Sequence, residues 1–252
     1  SETPDSCRLL LINNVIQSAI SLNTGASKLE YTSLLQRNID SIGNNPKTAL
    51  ILGLGGGVLA NELSRKNIKV TAVELDARIL EVARNYFFLD PAVEVIQDDA
   101  RHALYQLDKK FDLIMLDLFH AETTPAHVLS LESFGKIKSL LSENGIMIIN
   151  TYGYLNDKAA KGNLILFNTL QKAGLYYKVC YVGDKTHEDF RNFEIFCSVK
   201  PIPVNLIAQL EESIPTTSEI NSDVRPVLEF ANATAAKRWR YAYLKNYIRY
   251  IP

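Results

Sequence analysis

Side chains that could do chemistry follow the apolar run Leu113–Leu116, in the segment LIMLDLFHAETTPAH. They are Asp117, His120, Glu122 and His127. Carboxylates and imidazoles serve as general acids and bases and as metal ligands. The two histidines match neither HEXXH nor a cysteine-containing zinc pattern, so we expect no bound metal. The segment instead suggests an acid, a base or a binding group.

A glycine-rich turn, ILGLGGG, ends an earlier apolar run, and Glu74 ends the next run, TAVEL. Gly53, Gly55 and Gly57 let the backbone approach a ligand, and an acid about twenty residues further on can bind both ribose hydroxyls. The NAD pattern GxGxxG would need glycine where Val58 stands. The GxGxG spacing with a strand-end acid is typical of S-adenosylmethionine-type folds. The alternative is a simple tight turn.

Further acids are expected at the same edge of the fold. Asp98 and Asp99, in VEVIQDDARHAL, can accept from an adenine amino group or can cap the helix that starts at Ala100. We favour Asp99 for the ligand. A 3-2-1-4-5 strand order puts the strand before Asp117 beside the strand before Gly53, at the switch point where ligands bind. We therefore predict that Asp117 faces the glycine turn; a strand-end cap is the alternative.

Alternating apolar strands and amphipathic helices must position these residues. The predicted strands are TALILGL, IKVTAVEL, VEVIQ, DLIMLDL and GIMIINTY, with helices at about 57–66, 77–88, 99–107, 130–142 and 157–173. Strands that are apolar on both faces and alternate with helices predict a parallel, doubly wound sheet. The predicted fold is α/β, a Rossmann-like S-adenosylmethionine-dependent methyltransferase fold with a mostly parallel sheet.

The two ends of the chain add smaller elements. A β-hairpin is predicted at residues 8–20, turning at Asn13 and Asn14, followed by a helix from Tyr31 to Ile42. LYYKVCYVG and NFEIFCSVK look like an antiparallel pair at one sheet edge. After Pro201 we expect a short helix, a Pro/Ser/Thr-rich connector and a basic aromatic helix.

We divide the chain into residues 1–46 (hairpin and helix), 47–202 (nucleoside-binding domain) and 203–252 (helical tail packed on the domain). The tail sequence KRWRYAYLKNYIRY could lie on a membrane surface. We favour a terminal helix whose aromatic side chains pack on the domain while its cations stay in water, or a dimer contact.

The overall composition excludes several classes of protein. A net charge of −1 and a pI near 6.4 give no bulk attraction to nucleic acid. Two of the three cysteines lie in apolar runs, which indicates a reducing compartment. The sequence has no apolar run of about 18 residues and no signal peptide, so we expect a cytoplasmic protein.

Several motifs in order resemble the spermidine synthase (polyamine aminopropyltransferase) family: INNVIQSAI, LEYTSLL, LGLGGG, VELD, DPAVEVIQDDA, FDLIMLD and SENGIMIIN. LGLGGG, PAHVLSLESF and NSDVRPVLEF look more like a divergent branch that is often fused to membrane segments. Each motif alone is weak, but their order and spacing together are fairly specific.

The resemblance implies roles for individual residues. Tyr31 would help to hold the substrate amine, and Asp117 would be the general base. The implied nucleoside contacts are Gln17, the glycines Gly53, Gly55 and Gly57, the ribose acid Glu74, and Asp99 with Ala100 at the adenine.

Two positions depart from the family. Gly56 stands where the family has an aspartate that holds the terminal amine of the ligand, and His120 replaces the second aspartate of the family's DxxD. His120 is thus a substrate-side residue of changed charge, and the two anionic groups that would select a dicationic amine are both replaced.

Three functions stay open at this point. The first is transfer of an aminopropyl group from decarboxylated S-adenosylmethionine to a small-molecule amine. The second is a methyltransferase that uses intact S-adenosylmethionine, and the third is a catalytically silent binding domain of a membrane protein. The resemblance also implies a homodimer, and we expect no nucleic-acid partner.

Overall fold

A seven-stranded sheet with helices on both faces forms the centre of the protein. The computed structural model describes residues 6–118, 125–155, 158–183, 191–210 and 217–247. The strands are β1 Cys7–Ile12, β2 Val15–Ser21, β3 Thr48–Leu52, β4 Lys69–Glu74, β5 Glu94–Gln97, β6 Phe111–Leu116, β7 Leu141–Gly153, β8 Tyr176–Val182 and β9 Arg191–Ser198. The α-helices are α1 Glu30–Ile42, α2 Val58–Arg65, α3 Ala77–Tyr86, α4 Ala100–Gln106, α5 Leu131–Leu140, α6 Lys161–Lys172 and α7 Leu228–Tyr247.

The strand order of the sheet is β5-β4-β3-β6-β7-β9-β8. The pairs from β5 to β7 are parallel, whereas β9 runs antiparallel to both β7 and β8. The predicted fold class and the antiparallel pair are therefore confirmed. The order of the five parallel strands makes β3 and β6 neighbours, so the switch point lies between them.

Alternation along the strands produces two cores. Leu50 and Leu52 of β3 face one side with α4, α5 and α6, whereas Ala49 and Ile51 face the other side with α1, α2 and α3. All four side chains are at most 2% exposed. A strand that is buried on both faces needs apolar residues at successive positions, which explains the run TALIL.

The hairpin β1–β2 turns at Asn13 and Asn14, whose φ angles are both positive (52° and 61°). Two successive positive φ angles are the requirement of a type I′ turn, and asparagine tolerates them better than most residues. Arg8 Nη1 donates to Tyr86 O at 2.6 Å, and Ser18 Oγ accepts from Gly56 N at 2.9 Å. These contacts fix the hairpin over the end of the sheet.

The C-terminal part differs from the prediction in one respect. Residues 201–210 contain turns and bridges but no helix, so the predicted short helix is wrong over that range. Asn38 of α1 holds this segment instead, because its side chain bonds both the N–H of Ile207 (2.7 Å) and its carbonyl (3.3 Å). Backbone groups satisfied in this way do not require a helix.

Helix α7 begins at Leu228, earlier than the basic aromatic segment alone suggests, and packs against α6 and β7. Asn232 lies so close to Gly162 that a side chain at position 162 would collide with it. No helix within the described ranges is long and apolar enough to cross a membrane.

Candidate active site

The carboxyl ends of β3 and β6 meet at the switch point. The parallel ladder continues past both strands, because Asp117 N donates to Leu52 O and Gly53 N donates to Val73 O, each at 2.9 Å. Gly53 has a φ of +91°, and a Cβ at this position would collide with the carbonyl oxygen of Asp117. Glycine is therefore required here by both conformation and space.

The carboxylate of Asp117 receives two hydrogen bonds from side chains. Tyr31 Oη donates to Oδ2 at 3.0 Å, and Asn150 Nδ2 donates to Oδ1 at 2.8 Å. Burial raises the pKa of Asp117 above its ordinary value, while the bonds from Asn150 and Tyr31 act in the opposite direction. A carboxylate with two donors and a raised pKa is suited to accept a proton from a ligand.

Tyr31 reaches Asp117 from the first turn of α1. Leu34, Leu35 and Ile39 bury the inner face of this helix against the sheet, which holds the tyrosine ring above the end of β6. Burial and the negative charge of Asp117 raise the pKa of Tyr31 well above its ordinary value. Tyr31 therefore stays protonated and acts as the donor.

A cavity of about 230 Å³ opens beside this pair. Five of the predicted site residues line it: Gln17, Tyr31, Gly53, Gly55 and Asp117. Four others do not line it: Gly57, Glu74, Asp99 and Ala100. His120 and Glu122 lie outside the described residues.

Glu74 binds two backbone N–H groups, one of them in the glycine turn. Its Oε2 accepts from Leu54 N at 3.1 Å, and its Oε1 accepts from Asp76 N at 2.9 Å. A carboxylate has about four acceptor sites, so two backbone bonds leave capacity for ribose hydroxyls. The same bonds also fix the direction in which the carboxylate points.

Asp99 has the capping role that the sequence left open. Its Oδ1 accepts from Arg101 N at 2.9 Å and His102 N at 3.0 Å, which makes it the N-cap of α4. Its Oδ2 lies 3.5 Å from His127 Nε2. Asp98 pairs with His102 Nδ1 at 2.6 Å. A role for Asp99 at the ligand thus stays a prediction.

The space around Gly56 explains one departure from the family. A Cβ at this position would lie 2.9 Å from both Ser18 Cβ and Phe87 Cδ1. Ser18 also occupies the hydrogen-bonding position, since its Oγ accepts from Gly56 N. The hairpin fills the space that an aspartate side chain would need.

The far wall of the cavity consists of residues that no sequence motif indicated. Asn150, Tyr152, Asn192 and Trp239 line it. Trp239 of α7 stacks on Tyr152 of β7, with ring centroids 5.1 Å apart and an interplanar angle of 24°. Asn150 could have been found as the polar residue that directly follows the apolar run Ile146–Ile149, but nothing in the local sequence links Trp239 to the site.

The NSDVRPVLEF segment is tied to the far side of the sheet. Asn221 is fully buried; its Nδ2 donates to Ala126 O (2.8 Å) and Leu129 O (3.1 Å). Its Oδ1 accepts from Val227 N (3.0 Å) and Leu228 N (3.2 Å). The Arg101 guanidinium pairs with Asp223. These bonds fix the start of α7, and hence the helix that carries Trp239.

Solved structures with the same fold include spermidine synthases and methyltransferases. A probable spermidine synthase from Corynebacterium glutamicum is 21% identical with a TM-score of 0.66, covering 76% of this chain and 72% of its own. Human methyltransferase-like protein 13 is 22% identical with a TM-score of 0.57, covering 83% and 91%. The protein therefore has an α/β, Rossmann-like fold that spermidine synthases and methyltransferases share.

The sequence profile of the spermine/spermidine synthase domain matches residues 29–173. The chain belongs to the spermine/spermidine synthase family. It is 31% identical over 150 residues to a probable polyamine aminopropyl transferase from Bifidobacterium longum, covering 58% of this chain and 33% of that protein. It is 33% identical over 155 residues to a polyamine aminopropyltransferase from Thermococcus onnurineus, covering 57% and 50%. The matches thus span a third to a half of these two relatives.

Proposed function

We propose that this protein transfers an aminopropyl group from decarboxylated S-adenosylmethionine to an amine. The observation that carries the proposal is the carboxylate of Asp117, which holds bonds from Tyr31 (3.0 Å) and Asn150 (2.8 Å) beside the glycine turn. Membership of the spermine/spermidine synthase family supports the choice of reaction. Methyl transfer is not favoured, because the curated relatives at 31–33% identity are polyamine aminopropyltransferases.

In the proposed reaction the nitrogen lone pair of the amine attacks the aminopropyl carbon next to the sulfonium sulfur. The carbon–sulfur bond breaks with its electron pair on sulfur, and a neutral thioether nucleoside leaves. An alkylammonium, with a pKa near 10.5, must first lose a proton. We assign the acceptance of this proton to Asp117, and we assign to Tyr31 the orientation of its carboxylate.

The donor nucleoside would bind along the carboxyl edge of β3, β4 and β5. We assign its contacts to residues that the sequence predicted, and Gly53 and Gly55 leave backbone exposed to the cavity for this purpose. The complete proposed set is Gln17, Gly53, Gly55, Gly57, Glu74, Asp99 and Ala100. Glu74 fits a ribose because its carboxylate is already fixed by two backbone donors.

The acceptor would occupy the wall beyond Asp117. Tyr152 and Trp239 offer aromatic faces there, and a cation near such a face is attracted by the quadrupole of the ring. Asn150 and Asn192 supply neutral polar groups in the same wall. This combination suits an alkylamine that carries a positive charge.

The direct test supplies decarboxylated S-adenosylmethionine with a series of linear mono-, di- and triamines. Mass spectrometry should detect an acceptor enlarged by one aminopropyl group and an equal amount of thioether nucleoside. Parallel calorimetry should show tighter binding of the decarboxylated compound than of intact S-adenosylmethionine.

Each alternative has its own signature in this experiment. A methylated acceptor formed from intact S-adenosylmethionine would identify a methyltransferase and refute the proposal. Binding of neither compound would indicate a silent domain. The variant Asp117→Asn tests the proposed base in the same assay. Its matched control is Asp108→Asn, a change at an exposed carboxyl away from the cavity.

A further inference from the structure

Glu194 is a fully buried carboxyl group in the middle of β9. Neither of its oxygens has a hydrogen-bond partner within the described part of the chain. An ionised carboxylate without a partner is costly to bury, so such a group is either neutral or paired with a ligand. Glu194 does not line the cavity, which argues against direct contact with a ligand.

The strand register places Glu194 in one row with Asp117. Asn150 of β7 is the direct partner of Glu194, and Asp117 follows Leu116, whose partner Ile149 precedes Asn150. Residues directly opposite in an antiparallel pair have Cβ atoms about 4.5–5.5 Å apart and point to the same face. The side chains of Asp117, Asn150 and Glu194 are thus consecutive across three strands.

Three oxygen atoms in this row lack a hydrogen-bond donor among the described residues. Asn150 Nδ2 donates to Asp117, but Asn150 Oδ1 is buried without a partner, as are both oxygens of Glu194. All three unpaired atoms are acceptors when Glu194 is ionised. One proton on Glu194 would supply the missing donor. The other unpaired amide oxygen nearby, on Asn192, belongs to a residue that lines the cavity and can be met by water or ligand.

The charged group that opposes ionisation of Glu194 is Asp117, which follows β6. Tyr31 of α1 and Cys180 of β8 also interact with Glu194, but both are neutral because their pKa values are raised. Lys178 of β8 acts on Cys180, and its ammonium group donates to Val204 O. Burial, followed by the charge of Asp117, raises the pKa of Glu194 to about 9. Glu194 is therefore neutral at physiological pH.

We propose that Glu194 is a positioning residue whose neutral carboxyl group donates to Asn150 Oδ1 and so fixes the amide with Nδ2 towards Asp117. The effect is to hold Asp117 as an ionised acceptor next to the cavity without adding a second negative charge. Loss of the proton from Glu194 would remove the donor, and Asn150 would no longer be held in one orientation. The role in catalysis rests on the proposed function, but the hydrogen-bonded row does not.

The experiment compares Glu194→Gln with Glu194→Met. Glutamine keeps a neutral donor, whereas methionine keeps the approximate volume and removes the donor. The carboxyl carbons of Asp117 and Glu194 are followed by NMR as the pH is changed, with no substrate present. Glu143→Gln, at a side chain that is 84% exposed, is the control.

The expected result is a Glu194 resonance that titrates far above the ordinary range of a glutamate. Asp117 should titrate at a higher pH in the methionine variant than in the glutamine variant, since only methionine releases Asn150. In a transfer assay, the kcat of the Glu194→Gln variant should be about 2–12-fold higher than that of the Glu194→Met variant, which is the range expected for one hydrogen bond. The fall in kcat as the pH rises through about 9 should disappear in the glutamine variant.

Three outcomes would overturn the inference. Glu194 could titrate in the ordinary acidic range, or Asp117 could titrate identically in both variants while both stay folded. A rise in the KM for the amine in the glutamine variant, at unchanged kcat, would show instead that an ionised Glu194 binds the acceptor. Absence of any transfer activity would refute only the proposed function, because the titrations need no substrate.

Discussion

At the scale of single residues, Asp117 is subject to opposing effects. Burial disfavours its charge, whereas the hydrogen bonds from Tyr31 and Asn150 favour it. A proton acceptor needs both, because the ionised form must exist before the reaction and the protonated form must be accessible during it.

Replacement of Asp117 by asparagine should lower kcat by about 10²–10⁴, the usual contribution of a placed general base. The affinity for the nucleoside donor, measured by calorimetry, should change little, since the backbone of the glycine turn is unaltered. Asp108→Asn should keep wild-type kcat. An Asp117→Asn enzyme with wild-type turnover would show that another group accepts the proton.

Replacement of Tyr31 by phenylalanine should move the acid limb of the rate profile to higher pH. The hydroxyl bond favours the ionised form of Asp117, so its removal raises the pKa of that carboxyl. The rate falls as the pH drops through this pKa, so the variant should lose activity earlier on acidification. Measuring kcat against pH from neutral to acidic tests this. An unchanged acid limb would show that Tyr31 does not affect the pKa of the proton acceptor.

At the scale of elements, α7 contributes Trp239 to the cavity although it lies far from the other site residues in sequence. Trp239 is the only tryptophan of the chain, so its fluorescence reports on the site alone. Binding of donor or acceptor should change its emission in the wild-type protein.

Trp239→Ala should raise the KM for the amine by about 3–30-fold, which is the range of a cation–π contact. Tyr241→Ala, on the same helix but 72% exposed, is the matched control and should leave the KM unchanged. Equal effects of the two substitutions would indicate a general disturbance of α7 rather than a contact with the amine.

Asn221 connects the segment before α5 with the start of α7 through four hydrogen bonds. Asn221→Ala should lower the free energy of unfolding by about 2–4 kcal/mol, because buried backbone groups lose their partners. Urea denaturation measures this value, with Asn23→Ala at an exposed position as the control. A loss below about 0.5 kcal/mol would show that other groups replace the amide.

The elements differ in how far the sequence predicted them. The parallel strands were predictable, because TALIL and its counterparts are apolar on both faces and alternate with helices. Their order follows the 3-2-1-4-5 rule of doubly wound sheets. Residues 201–210 were not predictable, since long-range bonds to Asn38 replace local helix bonds there. Trp239 was missed for a similar reason: its place at the cavity depends on contacts of α7 with α6 and β7.

The candidate site shows the same division. Asp117 and the glycine turn follow from strand ends at a switch point, which is a topological rule. Glu194 does not follow from any such rule. In NFEIFCSVK a glutamate between apolar residues is compatible with an exposed face, and only the insertion of β9 between β7 and β8 buries it.

At the scale of the whole molecule, the burial of Glu194 should appear in the pH dependence of stability. Its pKa in the folded state is about 9, against an ordinary value of 4.5. The folded state therefore holds a proton that the unfolded state releases, and stability should fall as the pH rises between these two values.

The side chain in Glu194→Gln cannot titrate. The free energy of unfolding of this variant, relative to that of the wild type, should therefore rise by a few kcal/mol from about pH 5 to pH 9. Urea midpoints across this range measure the difference, and Glu143→Gln should follow the wild-type curve. Parallel curves for Glu194→Gln and the wild type would mean that Glu194 is already ionised in the folded protein.

The proposed donor edge and the proposed acceptor wall belong to different parts of the sheet. Gly53 and Glu74 belong to the parallel half, whereas Asn150 and Glu194 belong to the junction with the antiparallel edge, and Asp117 lies between them. Substitutions at position 192 can alter the acceptor wall while the donor edge keeps its backbone, whereas substitutions at positions 150 and 194 would act on Asp117. Under the proposed function, a library restricted to positions 152, 192 and 239, which line that wall, is thus a compact route to proteins that alkylate new amines with the same donor.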